Sequence, residues 1–393
     1  MKQAIIVALA LASLSLSAQT SIDQVLRDVE ANNKELKAND QFASARKLEA
    51  GLENNLPDPS VSYSHQYGNK QGMGMQGELV ASQSFDFPTV YAERGRLIKS
   101  KGVGIDRQRA LVRQQILLQA KEACLDLVLL NQQKALLDQR RQNAEQLALL
   151  YATRLSTGDA NILETNKINL ELLNAKNEAR QNETARVARL KELAMLNGGV
   201  PICFADTAYA EGVPELLSLD EVRAVALAAN PQLLSLQTDR ATALRQLRVN
   251  KAKQLPGFEL GYRLNIATGG ERFNGFLVGV RIPLFSNRNN VKQAKAETRY
   301  TELQLESATS VVENELQRLF DQSVALRTSL GEYRQVLTDQ NGLALLNKAI
   351  QAGQISMMEY FVDVATLYQS MQNYMQLQNE YQKVMAQLYK FQL

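Results

Sequence analysis

Few residues in this chain are of a type and spacing that could do chemistry. The one histidine, His65, alternates with Tyr63 and Tyr67 on the apolar side of a strand-like run and has no partner motif for acid–base or nucleophilic work. Gly72-Met73-Gly74 lacks the strand-to-helix context of a phosphate-binding loop. Met73/Met75 and Met357/Met358 carry soft donors that could contact a soft metal. Methionine is also a common filler of loops and packed surfaces. No catalytic, cofactor or metal site is therefore expected. The acids that do group are Glu164 in one half of the chain, and Glu359 with Asp363 in the other. The last two are four apart and share one helix face. Repeated around a symmetry axis, such carboxylates attract cations and exclude anions, which is selection by charge rather than bond-making.

The elements that must position these residues are long. From about Val90 to Leu155 the sequence runs without proline, and its last glycine is Gly104. At 1.5 Å per residue such a helix is a rod of roughly 100 Å. From Ile116 its apolar residues fall at alternating spacings of four and three: Ala120, Ala123, Leu127, Leu130, Leu137, Ala144, Ala148, Tyr151 and Leu155, with only Lys134 and Arg141 breaking the rule. That 3.5-residue period predicts the seam of a left-handed coiled coil. A rod has no core of its own, so it must lie against other helices.

Composition narrows the class. The 393 residues are 45% apolar and 22% charged, with a net charge of +3 spread along the chain, which gives no case for a nucleic-acid partner. Met1-Lys2-Gln3, the apolar run Ala4 to Leu16 and the small residues Ser17-Ala18 predict a signal peptide over 1–18, cleaved after Ser17 or Ala18. No other segment is long and apolar enough for a transmembrane helix. Cys124 falls mid-rod and Cys203 in a linker. Export permits a disulfide, but two unpaired thiols are expected.

The layout occurs twice. A helix from Ile22 to about Asn54 leads through Leu56-Pro57 to two strand-like runs, about 61–67 and 79–87. The rod follows, then the turn Arg154-Leu155-Ser156-Thr157-Gly158-Asp159 and a returning helix over about 161–196. After the linker, Asn230 matches Asn33 and Leu255-Pro256 matches Leu56-Pro57. Two cleaner strands, about 258–266 and 276–282, precede a second rod over about 289–350, the turn Ala352-Gly353-Gln354 and a last helix. Pro283 matches Pro88 and Gly353 matches Gly158 at one shared offset, 195 residues (283 − 88 and 353 − 158). A tandem duplication follows: 19–197 as the first repeat, 198–217 as linker and 218–393 as the second.

The strands are of bilayer-crossing length, with apolar and aromatic residues on one side and Ser, Gln, Glu, Arg and Asn on the other. Four strands cannot close a membrane barrel, for which about eight is the minimum, and an open edge in lipid is prohibitive. Three copies would supply twelve strands and leave an open lumen. The expected fold class is mainly α with membrane β: a long antiparallel α-helical barrel plus four transmembrane strands per chain, closing a 12-stranded barrel as a trimer.

Two short signatures extend this reading. The first is Arg154-Leu155-Ser156-Thr157-Gly158 with Asn161-Ile162-Leu163-Glu164. The second is Ala352-Gly353 with Ser356, Glu359 and Val362, then Ala365-Thr366-Leu367-Tyr368. With the signal peptide and the duplicated layout, they make nearly the whole mature chain resemble the TolC family of trimeric outer-membrane efflux channels. The resemblance implies a homotrimer in outer-membrane lipid, extending into the periplasm, with a periplasmic adaptor protein and an inner-membrane transporter of the resistance-nodulation-division type as partners. It implies adaptor docking at the helix reversals, on Arg154, Leu155, Ser156, Gly158 and Gly353. It implies a pore gate just past them, on Glu164, Ile350, Ile355, Glu359 and Asp363. In part the sequence departs from the family. Val362 stands where a second aspartate is expected, Asp363 is displaced by one residue, and Ile350 and Ile355 occupy the positions of the family's tyrosine and arginine lock. An apolar constriction is expected in place of a polar lock. The expected function is a passive duct from periplasm to exterior in a tripartite efflux or export system. Alternatives are the outer-membrane duct of a type I protein secretion system and a non-conducting coiled-coil scaffold. The scaffold explains the rods but neither the strands nor the duplication.

Overall fold

The structure is a computed structural model that describes residues 21–209, 218–338 and 342–393. The signal peptide expected at 1–18 lies outside the described residues, as does the linker's stretch 210–217. Element order is α1 (Ile22–Asn32), α2 (Lys34–Leu52), β1 (Ser60–Tyr67), β2 (Met75–Phe85), α3 (Pro88–Thr157) and α4 (Ile162–Leu196), then α5 (Leu219–Ala229), α6 (Pro231–Ala252), β3 (Gly257–Ala267), β4 (Arg272–Arg281), α7 (Asn290–Thr338), α8 (Gly342–Gln351) and α9 (Met357–Leu388). The order of the first six elements returns in the second half, with α7 and α8 together in the place of α3 and α9 in that of α4; the second rod expected over about 289–350 is described as these two helices, 339–341 lying outside the described residues. The chain packs as two compact units: residues up to Lys37 with Val112–Ala226 and Glu313–Leu393, and Ala38–Leu111 with Leu227–Val312. Each sequence repeat contributes to both.

The expected rod is one helix of 70 residues. Pro88 sits at its first position, where a missing N–H costs nothing, and no proline follows within it. The helix expected from Ile22 to Asn54 is instead two. Asn33 leaves the helical region at φ −57°, ψ 125° and donates its own N–H to the Val29 carbonyl. Its side chain then accepts from the Leu36 N–H at 2.9 Å and donates to the Leu196 carbonyl at 2.7 Å. Asn230 makes the matching break. It accepts from Gln232 N–H and Leu233 N–H, and Pro231 opens the next helix. One short amide side chain ends one helix and starts another, because it can replace the backbone partners that both ends lack.

In the first unit the core surrounds the middle of α3. Ile116, Ala120, Ala123 and Leu127 of the expected seam are buried against Val25, Val29, Leu193, Phe204 and Ala386. So are Leu117, Cys124, Leu125 and Val128, which lie off the seam. The helix is thus enclosed on more than one stripe, and the narrow two-helix seam predicted by the heptad does not describe this stretch. The seam's one misfit that faces outward, Lys134, reaches Asp138 and Glu183. Cys124 and Cys203 are both free thiols. Burial pushes the Cys124 thiol up to about 12, which leaves it unreactive.

In the second unit the four strands form one antiparallel sheet in the order β1-β2-β3-β4. Its register pairs Tyr63 with Leu79 and Leu79 with Leu264, and next to them Val61 with Ala81, Ala81 with Tyr262 and Tyr262 with Phe276. These residues share one face. β4 begins at Arg272, four residues before the sequence pattern did, and β2 begins at Met75, inside the expected loop.

Because the Asn33 side chain both caps the start of α2 and donates to the Leu196 carbonyl, Asn33→Ala should lower stability by about 2 kcal/mol. Asn33→Asp keeps the acceptor for Leu36 N–H but sets a buried carboxylate against the Leu196 carbonyl, so it should cost at least as much. Thermal unfolding of the purified chain followed by circular dichroism checks both.

Candidate functional site

Two places in the molecule could serve a function, and each lies within a single unit. The first is the pair of helix reversals. Helix α3 ends at Thr157, and Gly158 takes φ +83°. There the Asp159 N–H bonds the Arg154 carbonyl at 2.8 Å and the Gly158 N–H bonds the Leu155 carbonyl at 3.3 Å. Helix α8 ends in the same way. Gly353 takes φ +68°, with Gln354 N–H on Ala349 O and Gly353 N–H on Ile350 O. Both are left-handed helix stops that only glycine enters without strain.

Three residues past each glycine the next helix begins with a capping box. Asn161 accepts from the Leu163 N–H at 2.9 Å while the Glu164 carboxylate accepts from the Asn161 N–H at 3.1 Å. In the second half the Ser356 Oγ accepts from the Glu359 N–H at 3.2 Å and the Glu359 carboxylate accepts from the Ser356 N–H at 2.8 Å. The Asn-x-x-Glu and Ser-x-x-Glu spacings carry this signal openly. Glu164 and Glu359 therefore hold the starts of α4 and α9, whatever else they do. Asp363, one turn on, caps nothing. It is exposed and stands on the wall of an apolar groove of about 640 Å³ that includes Tyr333, Val336, Leu346 and Leu367.

Behind the reversals lies a second core of Leu136, Leu147, Tyr151, Ile168, Ile350, Met357, Tyr360, Val364 and Tyr368. Ile350 is only 3% exposed and belongs to it, and Ile355 packs against it. Among the docking residues, Arg154 lies over the Tyr151 ring at 5.3 Å, Ser156 is exposed with its hydroxyl on the Thr153 carbonyl, and Leu155 is half-buried. Sequence reasoning missed Arg140, which binds Glu171 at 2.7 Å and Glu178 at 2.8 Å and lies over the Tyr368 ring at 5.4 Å. It ties α3, α4 and α9 together. Its signal was weak, since Arg140 neighbours the heptad misfit Arg141 and falls off the seam.

The second place is the sheet. Val61, Tyr63, Tyr67, Leu260, Tyr262, Phe276, Val278 and Val280 lie on its apolar face and are exposed, Phe276 at 93%. His65 lies there too, with the Tyr63 hydroxyl 3.0 Å from its Nδ1 and the Tyr67 ring edge-on at 4.7 Å. The other face carries Ser62, Ser64, Glu78 and Arg263, with Arg263 on Glu78 at 3.0 Å. An uncovered face of this size is a contact surface. Among the described residues, strands β1 and β4 each leave one edge unpaired. Among the described residues, no helix is long and apolar enough to cross a membrane.

Compared with known proteins, the chain matches no family model and no curated sequence. Solved structures do match. CusC, whose structures concern folding and transmembrane channel formation, superposes with a TM-score of 0.76 at 14% identity, over 95% of this chain and 92% of its own. The outer membrane protein VceC of Vibrio cholerae gives 0.74 at 14% identity, over 94% and 95%. The CmeC outer membrane channel of Campylobacter jejuni gives 0.73 at 14% identity, over 94% and 85%. The chain has the fold of these outer-membrane channels. The mainly helical fold with a small antiparallel sheet, expected from the rods and the alternating strands, is the fold observed.

The Ser356 N–H, then the Ser356 hydroxyl, hold the Glu359 carboxyl below its ordinary value. A lowered value means that the cap is fully formed above the ordinary carboxylate range and is lost as pH falls through the lowered value. Ser356→Ala removes the hydroxyl, so the Glu359 titration should move upward toward the ordinary value. NMR titration of the Glu359 side-chain carboxyl in the wild type and in the variant checks this.

Proposed function

We propose that this protein is the outer-membrane channel component of a tripartite efflux or export system, a passive duct from periplasm to exterior. The observation that carries the reading is the exposed apolar face of a four-stranded sheet with two unpaired edges. Such a sheet is stable in hydrocarbon only when its edges are closed, and three copies of four strands make a barrel wide enough for a lumen. The fold shared with outer-membrane channels supports the same assembly. In this reading the homotrimer sits in outer-membrane lipid and reaches into the periplasm. A periplasmic adaptor links it to an inner-membrane transporter, of the resistance-nodulation-division type by the resemblance noted above.

The two reversals are proposed as the adaptor's docking surface, with Arg154, Leu155, Ser156, Gly158 and Gly353 presented by the glycine stops. The gate is proposed just past them. Glu164, Glu359 and Asp363 supply the charge, Ile355 borders it, and Ile350 backs it from within the core. Capping and gating are compatible. A carboxylate that accepts a backbone N–H stays ionised, and an ionised ring selects cations.

Reconstitution into planar bilayers tests the proposal. The purified mature protein should be a trimer by native mass measurement and should conduct ions. Glu359→Gln with Asp363→Asn should reduce cation selectivity severalfold and leave trimer yield unchanged, because glutamine still caps the helix. A monomer that inserts stably, or selectivity unchanged in the double variant, contradicts the assembly or the gate respectively.

Docking has its own test. Leu155→Asp should abolish export in cells that carry the native transporter while membrane insertion and single-channel conductance persist. Export at the native level would refute docking at the reversal.

A further inference from the structure

The duplicated halves differ in charge where the helices meet the sheet. Helix α6 runs into β3, and β4 runs into α7. Gly257 pairs with Arg281, so both junctions lie at one end of the sheet. The side chain of Asn250 on α6 donates to the Asn290 carbonyl at 3.1 Å, which joins the two helices there. Between Arg240 and Glu259 the chain has no Asp or Glu, and none lies between Arg281 and Glu297. These two stretches carry Arg248, Lys251, Arg288, Lys292 and Lys295, all exposed. None has a carboxylate partner among the described residues; the ion pairs of this region use Arg240, Arg263, Arg281 and Arg299 instead.

The first half shows what a neutral version looks like. Glu93 stands at the place of Arg288 (288 − 195), and Glu49 at that of Arg248 by the Leu-Pro mark (248 − 199). There four cations are matched, Arg46 with Glu49 at 2.7 Å, Lys47 with Asp106 at 2.6 Å, Arg94 with Asp86 at 2.8 Å, and Lys101 with Glu53, while Lys99 alone between Arg94 and Lys101 stands exposed without a carboxylate partner among the described residues. Like charges three and four apart repel when nothing lies between them. The second half keeps such a cluster, and beside it exposes Ile282, Leu284 (73%) and Phe285 (83%), directly continuous with the exposed apolar strand face. Apolar and aromatic side chains flanked by lysine and arginine suit the boundary between hydrocarbon and headgroups.

We propose that Arg248, Lys251, Arg288, Lys292 and Lys295 form a binding surface for anionic phospholipid headgroups, with Ile282, Leu284 and Phe285 set into the adjoining acyl region. The partner is a membrane leaflet, because the cluster borders the face proposed to meet lipid, and this inference rests on that reading. The surface belongs to the second repeat alone, so a trimer would present three such patches with less basic sectors between them. Each cation near an anionic surface strengthens attachment, and the effect fades with added salt.

The test uses the purified full-length mature assembly and two probes, phosphatidylcholine and phosphatidylglycerol, offered together in equal amounts. Native mass spectrometry counts the lipids retained. The wild type should retain phosphatidylglycerol over phosphatidylcholine by about tenfold at low salt. R248Q/K251Q/R288Q/K292Q should lose that preference, and raised salt should abolish it in the wild type. A charge-keeping variant, R248K/K251R/R288K/K292R, should retain it, which separates charge from folding. Equal retention of both lipids by the wild type, or a preference that survives in the glutamine variant, overturns the proposal. Loss of the trimer with preference intact would place the cations against a neighbouring copy and also overturns it. Conductance in pure phosphatidylcholine bilayers stands apart from these outcomes: its absence is a failure of the channel reading itself, whereas conductance without anionic preference is a failure of this inference alone.

Discussion

A backbone N–H or C=O in hydrocarbon has no water to turn to, and the fold depends on how that constraint is met. Four strands leave two unpaired edges beneath a face of exposed tyrosine, phenylalanine and valine. In water that face would associate without order, and in lipid those edges would each cost several kcal/mol per unpaired group. Neither solvent suits the sheet alone. In the proposed assembly, closure by copies resolves both problems in one step. In that reading the single chain is an incomplete object, and its apolar surface is information about its partners.

The helical part is governed by a different limit. A 70-residue helix has many backbone bonds and no interior, so all its stability beyond propensity must come from neighbours. The chain provides them by folding back at Gly158 and Gly353 and by splitting its shorter helices at Asn33 and Asn230. Each device handles the same physical problem, the unsatisfied groups at a helix end. The two halves use the same chemistry at each of these points. The same two kinds of residue, glycine and asparagine, therefore appear at matching places, and the duplication is visible through their roles as well as their spacing.

The halves also differ, and the proposed functions rest on those differences. At the reversals both halves carry a capping glutamate, but only the second adds Asp363 one turn beyond. At the base of the sheet the first half pairs most of its cations, whereas the second leaves Arg248, Lys251, Arg288, Lys292 and Lys295 exposed without a carboxylate partner among the described residues. A duplicated scaffold can hold its geometry with one copy of a residue pattern and spend the other on surface chemistry, because the capping and packing positions are few.

Much of this was legible in the sequence. Strand alternation such as Phe258-Leu260-Tyr262-Leu264 is a local property, set by the two-residue pleat, and β3 came within one residue at each end. The rod was legible for the same kind of reason, since the absence of proline and an apolar period need no partner to be seen. The heptad, however, described a two-helix seam, whereas Leu117, Cys124, Leu125 and Val128 are buried as well. How many neighbours surround a helix is decided by the tertiary arrangement, which no periodicity encodes. The break at Asn33 was hidden because asparagine within a polar helix is unremarkable until the Leu196 carbonyl is seen to need its amide. The candidate gate divides along the same line. The sequence alone put Glu359 and Asp363 on one helix face. The Ser356-x-x-Glu359 spacing marks the cap locally, but only the folded chain exposed Asp363, enclosed Ile350 and joined Arg140 to Glu171 and Glu178, because burial and pairing belong to residues far apart in sequence that the fold brings into contact.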